Sequence, residues 1–148
     1  MQASNQSQIP DNRSPTSILG FDFGLKRIGV AVGQSITKTA QSLTVLNANK
    51  GVPNWREIQL LIDEWAADAL IVGLPLKMDK TEQPITQKAR AFGEQLKQHF
   101  NLPVYFVDER LTTIAARDEM HTYIKGKGRF AAADGVSAKL IVESFWNQ

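Results

Sequence analysis

The stretch Ile18–Gly33, ILGFDFGLKRIGVAVG, constrains this chain more than any other. Two apolar runs, Ile18–Phe23 and Ile28–Val32, are rich in residues that favour strands. Gly24, Leu25, Lys26 and Arg27 join them, a length suited to a hairpin. Asp22 interrupts the first run, and a carboxylate in a buried strand is costly unless it is paired or holds a metal. Gly24 and Gly29 leave space for a phosphate or another backbone to come close. The stretch reads as a hairpin that presents one acid from the middle of a sheet, with two cations at its turn. A strand-end Asp capping its own turn accounts for Asp22 equally well.

A chain of 148 residues has enough length for one domain with a full core and too little for two ordinary ones. Its 17 basic and 15 acidic residues leave a charge of +2, so any case for a polyanion partner rests on where the charges sit. The chain has no cysteine, which excludes a disulfide framework and a cysteine-based zinc site. No apolar run approaches the ~20 residues of a membrane span, so no membrane partner is expected. The first 17 residues, MQASNQSQIPDNRSPTS, carry Ile9 as their one large aliphatic side chain. They are expected to form a disordered tail, 1–17, ahead of a domain spanning 18–148. They lack the apolar centre of a signal peptide, and the expected location is cytoplasmic.

After the hairpin, Ser42–Leu46 reads as a third strand and Asn47–Pro53 as a turn-rich connection. Asn54 is placed to cap a helix over 54–66, with Glu57 completing a capping box. Ala69–Val72 is a short apolar run of the kind buried on both faces of a parallel sheet, and it stops at Gly73. The loop Leu74–Gln83 carries Lys77 and Lys80. Pro84 fits the first turn of a second helix, with Ile85, Ala89, Phe92 and Leu96 inward. Val104–Val107 is a strand that runs into Asp108, Glu109 and Arg110. Thr112 or Thr113 is placed to cap a short helix to about Tyr123. Ile124–Arg129 is a basic, glycine-containing loop, and a last helix covers 131–146 with Val136, Leu140, Ile141 and Phe145 inward. Hairpins make the first three strands antiparallel, and helical crossovers make the later ones parallel to the first. The expected fold is α/β, a mixed five-stranded sheet flanked by helices.

In this topology Asp22, Glu109 and Asp134 converge near the carboxyl ends of the parallel strands, where open sheets place their sites. Three acids with no His or Cys beside them suit hard, oxygen-loving ions such as Mg²⁺ or Mn²⁺. Two such ions would clamp the attacking and leaving oxygens of a phosphodiester cleavage. Neighbours on a strand point to opposite faces, so Asp108 competes with Glu109, and the residues alone leave the choice open. Asp134, taken singly, is equally an acid favoured by the helix macrodipole.

These residues carry a specific resemblance. FDFGLKRIGVAVG (Phe21–Gly33), IVGLPLKMDKTEQP (Ile71–Pro84), VDERLTT (Val107–Thr113) and the Asp opening the last helix, Asp134, resemble the YqgF family. The family is also called RuvX and comprises pre-16S rRNA nucleases and Holliday junction resolvase-like proteins. The resemblance covers about 18–143. It implies a ribonuclease H-like fold, and it matches Asp22, Glu109 and Asp134 to the family's acidic, metal-holding catalytic positions, which selects Glu109 over Asp108. The implied activity is metal-dependent cleavage of nucleic acid, with maturation of the 16S rRNA 5′ end as the bacterial role. Two positions depart from the usual pattern. Lys80 stands where many members have Gly. Phe130–Ala133 precede Asp134 where many carry a Lys, which leaves Arg129 or Lys127 to make any phosphate contact from there.

Lys26, Arg27, Lys77, Arg110, Thr113, Lys127 and Arg129 lie on segments that could rim the acids and position a phosphate backbone without reading its sequence. Lys80 and Lys125 read as solvated charges, Trp55 and Trp65 as core, and His99 and His121 as structural or surface residues. The expected partner is RNA, namely pre-16S rRNA within the pre-ribosomal particle, with branched DNA as the alternative. A resolvase on a two-fold junction is expected to dimerise, but no stretch announces an interface, so a monomer or weak homodimer is expected. Sugar kinases and actin-like ATPases also use D-x-G hairpins but need two such lobes, for which the chain is too short. A non-catalytic nucleic-acid-binding module is disfavoured, because a negative cluster at the centre of a polyanion site requires metal to neutralise it.

Overall fold

Residues that alternate along strands and recur every three to four positions along helices must bury one side of each element. The result is a sheet with helices on both faces. The computed structural model describes residues 15–77, 79, 81–109 and 129–147, with 129–136 described by backbone alone. The elements are β1 (Ser17–Asp22), β2 (Arg27–Gln34), β3 (Thr39–Asn49), β4 (Val52–Pro53), α1 (Trp55–Trp65), β5 (Ala69–Leu74), α2 (Pro84–Phe100), β6 (Val104–Asp108) and α3 (Arg129–Trp146). The strands lie in the order β4-β3-β2-β1-β5-β6. β1 to β4 run antiparallel to their sequence neighbours, whereas β5 pairs parallel to β1 and β6 parallel to β5.

This is the mixed sheet expected, with six strands in place of five. The added strand is Val52–Pro53, which folds back on Ala48 and Asn49 within the segment read as a turn. Lys50 (φ 53°) and Gly51 (φ 85°) make that reversal in the left-handed region. β3 is also longer than 42–46 because most of its residues are exposed, and polar residues on an outer strand blur the alternation. β1 begins at Ser17, one residue inside the stretch expected to be tail. There the Asp68 carboxylate accepts from the Thr16 and Ser17 amides at 2.9 and 3.0 Å.

Helix starts follow local chemistry. The Asn54 side chain accepts from the Arg56 amide at 3.0 Å, and the Glu57 amide bonds the Asn54 carbonyl. Pro84 opens α2. Buried Thr86 accepts the Gln83 amide and donates to the Pro75 carbonyl, which ties the loop after β5 to this helix. Within that loop, Asp79 accepts from the Thr81 amide at 3.0 Å, closing the turn. α3 begins at Arg129, so this residue belongs to the helix and not to the preceding loop. The helix expected after Thr112 and the basic loop from Ile124 lie outside the described residues, as do Lys80 and His121.

The core is split by the sheet. On one face Leu19, Phe21, Val30, Leu70 and Val72 pack against Ile58 and Ile62 of α1 and Phe92 and Leu96 of α2. On the other, Ile18, Ala31, Ile71 and Val107 pack against Ala138, Ile141 and Val142 of α3. At Gly20 an added Cβ would collide with the Val142 side chain, so glycine there lets α3 lie directly on the strands. Trp55 and Trp65 are half-buried at the rim of the α1–α2 core. His99 stacks on Trp55, with ring centroids 4.1 Å apart, which fits its structural reading.

Candidate active site

Parity along the strands decides which acids meet, because successive side chains point to opposite faces. Ile18 and Gly20 of β1 face α3, so Asp22, the last residue of β1, shares that face. On β6, Val107 is buried against α3. Glu109, two residues on, returns to the same side, while Phe106 and Asp108 belong to the opposite one. The Glu109 amide bonds the Leu74 carbonyl at 3.0 Å, which extends the β5–β6 ladder past the strand end.

β5 lies between the two acids. Its pairings place Val72 beside Phe21 and Gly73 beside Val107. The Glu109 side chain crosses over Gly73 and hydrogen-bonds Asp22. A Cβ on Gly73 would stand 2.6 Å from Glu109 Oε1, 2.7 Å from its Cγ and 2.5 Å from Ile141 Cδ1. Any side chain at this position would therefore push Glu109 away from Asp22. In the sequence, Gly73 reads only as the end of an apolar run. Its position between the strands that carry the two acids was the available signal.

The pair is electrostatically loaded. Burial pushes the Glu109 carboxyl above its ordinary range, its hydrogen bond to Asp22 pulls it back, and the charge of Asp108 pushes it up again, with a net upward shift. Two carboxyl groups in contact cannot both stay charged without a proton or a cation between them. An all-oxygen, half-buried donor pair of this kind fits a hard divalent ion. Among the described residues, no third metal-ligating side chain joins the two.

The third acidic position is approached by α3. Trp146 of this helix donates to the Thr39 carbonyl at 3.2 Å. Val142 lies over Gly20 and Gly33, and Ile141 over Gly73. Residue 134 is one helical turn before Ala138, on the same helix, and the Asp134 side chain lies outside the described ones. Of the cations, Lys26 and Arg27 stand exposed at the β1–β2 turn, and Lys77 stands exposed in the loop after β5. Arg129 is described by its backbone alone, and Arg110, Thr113 and Lys127 lie outside the described residues.

Residues 16–148 match the model of the family described as "RuvX: Holliday junction resolvase". The chain belongs to the RuvX family. Its relatives include a Haemophilus ducreyi protein named "Putative pre-16S rRNA nuclease", 52% identical over 137 residues, or 89% of this chain and 96% of that one. One of the same name from Aeromonas salmonicida is 50% identical over 140 residues, covering 91% of this chain and 97% of that protein. Members are thus named as nucleases, which are hydrolases acting on ester bonds. Two solved structures share the fold, which is of the ribonuclease H-like kind. The Fowlpox virus resolvase in complex with substrate Holliday junction DNA has a TM-score of 0.54 at 13% identity, over 89% of this chain and 97% of that one. T. thermophilus RuvC in complex with a Holliday junction substrate has a TM-score of 0.51 at 14% identity, over 85% and 91%. No described helix is long and apolar enough to cross a membrane.

Proposed function

We propose that this RuvX-family chain is a metal-dependent nuclease that matures the 5′ end of pre-16S rRNA in the cytoplasm. The observation that carries the reading is the contact of Asp22 with Glu109 over Gly73, at the carboxyl end of the parallel strands. The names of relatives about 50% identical over nearly their whole length supply the substrate.

In this reading Asp22, Glu109 and Asp134 hold Mg²⁺ or Mn²⁺. When bound, such a metal neutralises charge on the phosphodiester and activates a water as the nucleophile. Glu109 would hold the ion as a carboxylate, so metal affinity would rise with pH. Asp22 is fixed by its place in the ladder opposite Gly29, so it is presented without the entropy cost of a loop. Lys26, Arg27 and Lys77, from turns at the same end of the sheet, hold the phosphates that flank the cut. The sequence assigns the same role to Arg110, Thr113, Lys127 and Arg129.

The test is cleavage of end-labelled 16S rRNA precursor beside a four-way DNA junction, each with Mg²⁺, Mn²⁺ or EDTA. Metal-dependent RNA cleavage that disappears in Asp22→Asn is expected. The family's description as a Holliday junction resolvase favours a second reading. Paired symmetric nicks in the junction with no RNA cleavage would establish that reading in place of the first.

A further inference from the structure

Across the β1–β2 turn from the acids, on the opposite face of the sheet, lies a groove that meets the site described above only at Lys26. Two adjoining hollows, of about 340 and 180 Å³, share Lys50 and Lys88, and Lys26 borders the larger. The three lysines come from separate elements: the β1–β2 turn, the β3–β4 turn and α2. No Asp or Glu is among the residues lining either hollow. No described carboxylate pairs with any of the three lysines.

The groove is built. The Gly51 amide bonds the Leu25 carbonyl and the Ala48 amide bonds the Lys26 carbonyl, each at 2.8 Å, so the two turns that carry Lys26 and Lys50 are joined through their backbones. A Cβ on Gly51 would meet the Phe23 ring at 2.7 Å, which seats that ring against the turn. Phe23 in turn packs on Phe92 of α2, with centroids 5.2 Å apart. The smaller hollow is therefore floored by the half-buried Phe23 ring and by Val52, which is 49% exposed, and the larger by Leu25 and Ala48. A rigid apolar floor ringed by cations and free of acids is how sequence-tolerant sites take a single strand, with bases or sugars on the floor and phosphates at the rim. The larger hollow sits near the ~300 Å³ at which ligand sites begin.

Phe23 follows Asp22 directly, so a strand that leaves the acids and crosses the β1–β2 turn enters this groove. We propose that the Lys26–Lys50–Lys88 groove binds the sugar-phosphate backbone of an unpaired nucleic-acid segment flanking the scissile bond. The proposal rests on the nuclease reading for what it flanks, but not for what it binds.

The test is the full chain carrying Lys50→Gln and Lys88→Gln together, with Lys88→Gln alone as a second variant. Glutamine removes the charge and keeps an unbranched polar side chain at the left-handed Lys50. The probes are labelled oligouridylate and its duplex with oligoadenylate, titrated by fluorescence anisotropy in EDTA over a range of salt. For the single strand, affinity is expected to fall on the order of tenfold at 0.1 M salt. The salt slope should drop by ~1.4, since each phosphate contact on a single strand contributes ~0.7. The duplex should be affected far less. Unchanged single-strand affinity and slope would overturn the groove, even in an enzyme that cleaves. Equal losses on the two probes would overturn its assignment to unpaired strands. A chain that binds through these lysines but cuts neither RNA nor DNA would sustain the groove and sink the nuclease reading.

Discussion

The two faces of the sheet are built from side chains of different size. Under α1 and α2 the strands present Leu19, Phe21, Val30, Leu70 and Val72, which interlock with Phe92 and Leu96. Under α3 they present Ile18, Ala31 and Ile71 interspersed with Gly20, Gly33 and Gly73. Among the described residues, the first face holds the larger cluster of buried side chains and so the larger share of hydrophobic stabilisation. The second gives up volume to bring a helix close and to let an acid cross a strand. In the proposed reading, stability and chemistry thus fall on opposite sides of the same sheet.

Asp22→Asn tests that division most severely. Cleavage should fall by ~10³-fold or more, the scale expected when a unit of the reacting constellation is removed, while the thermal midpoint holds or rises. Undiminished cleavage would remove Asp22 from the mechanism. Leu96→Ala is the converse case, on the large-residue face. It should cost ~2–5 kcal/mol of unfolding free energy in urea titrations and leave the specific activity of the folded protein within about twofold. A comparable loss of specific activity would mean that the faces are not separable.

Gly73→Ala sharpens the comparison because it adds a single methyl group. It should lower kcat by ~10²-fold, the cost of about 1 Å of misplacement. The overpacking penalty on stability should be only ~1–3 kcal/mol. An active Gly73→Ala enzyme would show that Glu109 need not cross at this point.

The smallest effect concerns Glu109 in metal-free protein. Its carboxyl sits above its ordinary range because of burial and Asp108, with the Asp22 hydrogen bond opposing. The stability this proton contributes is present below the unfolded carboxylate value and is lost as pH rises through the raised one. Glu109→Gln should therefore match the parent near pH 4 and exceed its midpoint by a few degrees, ~2–5 °C, at neutral pH. Added Mg²⁺ should raise the parent's midpoint but not the variant's. A variant that loses stability across the whole range would mean that Glu109 is held for packing.

Much of this arrangement was legible in the residues. The hairpin around Gly24–Arg27, the cap at Asn54, the opening of α2 at Pro84 and the buried run of β5 each follow from a local rule. The choice of Glu109 over Asp108 came from a family resemblance, and the strand parity of Val107 agrees with it. What stayed hidden has physical causes. Val52–Pro53 is too short to show a period, and most of β3 is exposed, so its alternation is blurred. Gly73 carries no side chain whose chemistry could announce it, and its role exists only where three strands lie side by side. Lys50 and Lys88 are separated in the chain by a helix and two strands, and they meet only in the folded groove.

α3 has a mechanical consequence. Its far end is stapled by Trp146 to the Thr39 carbonyl at 3.2 Å, while position 134 lies twelve residues away along the axis, an arm of ~18 Å at ~1.5 Å per residue. Between the two, Ala138, Ile141 and Val142 seat the helix on the strands. A tilt of about 3° about the staple carries the other end through ~1 Å, a displacement on the scale that costs a catalytic constellation two orders of magnitude. The fit of one indole against the start of β3, with the packing of Ala138, Ile141 and Val142, thus sets the aim of the opposite end of the helix.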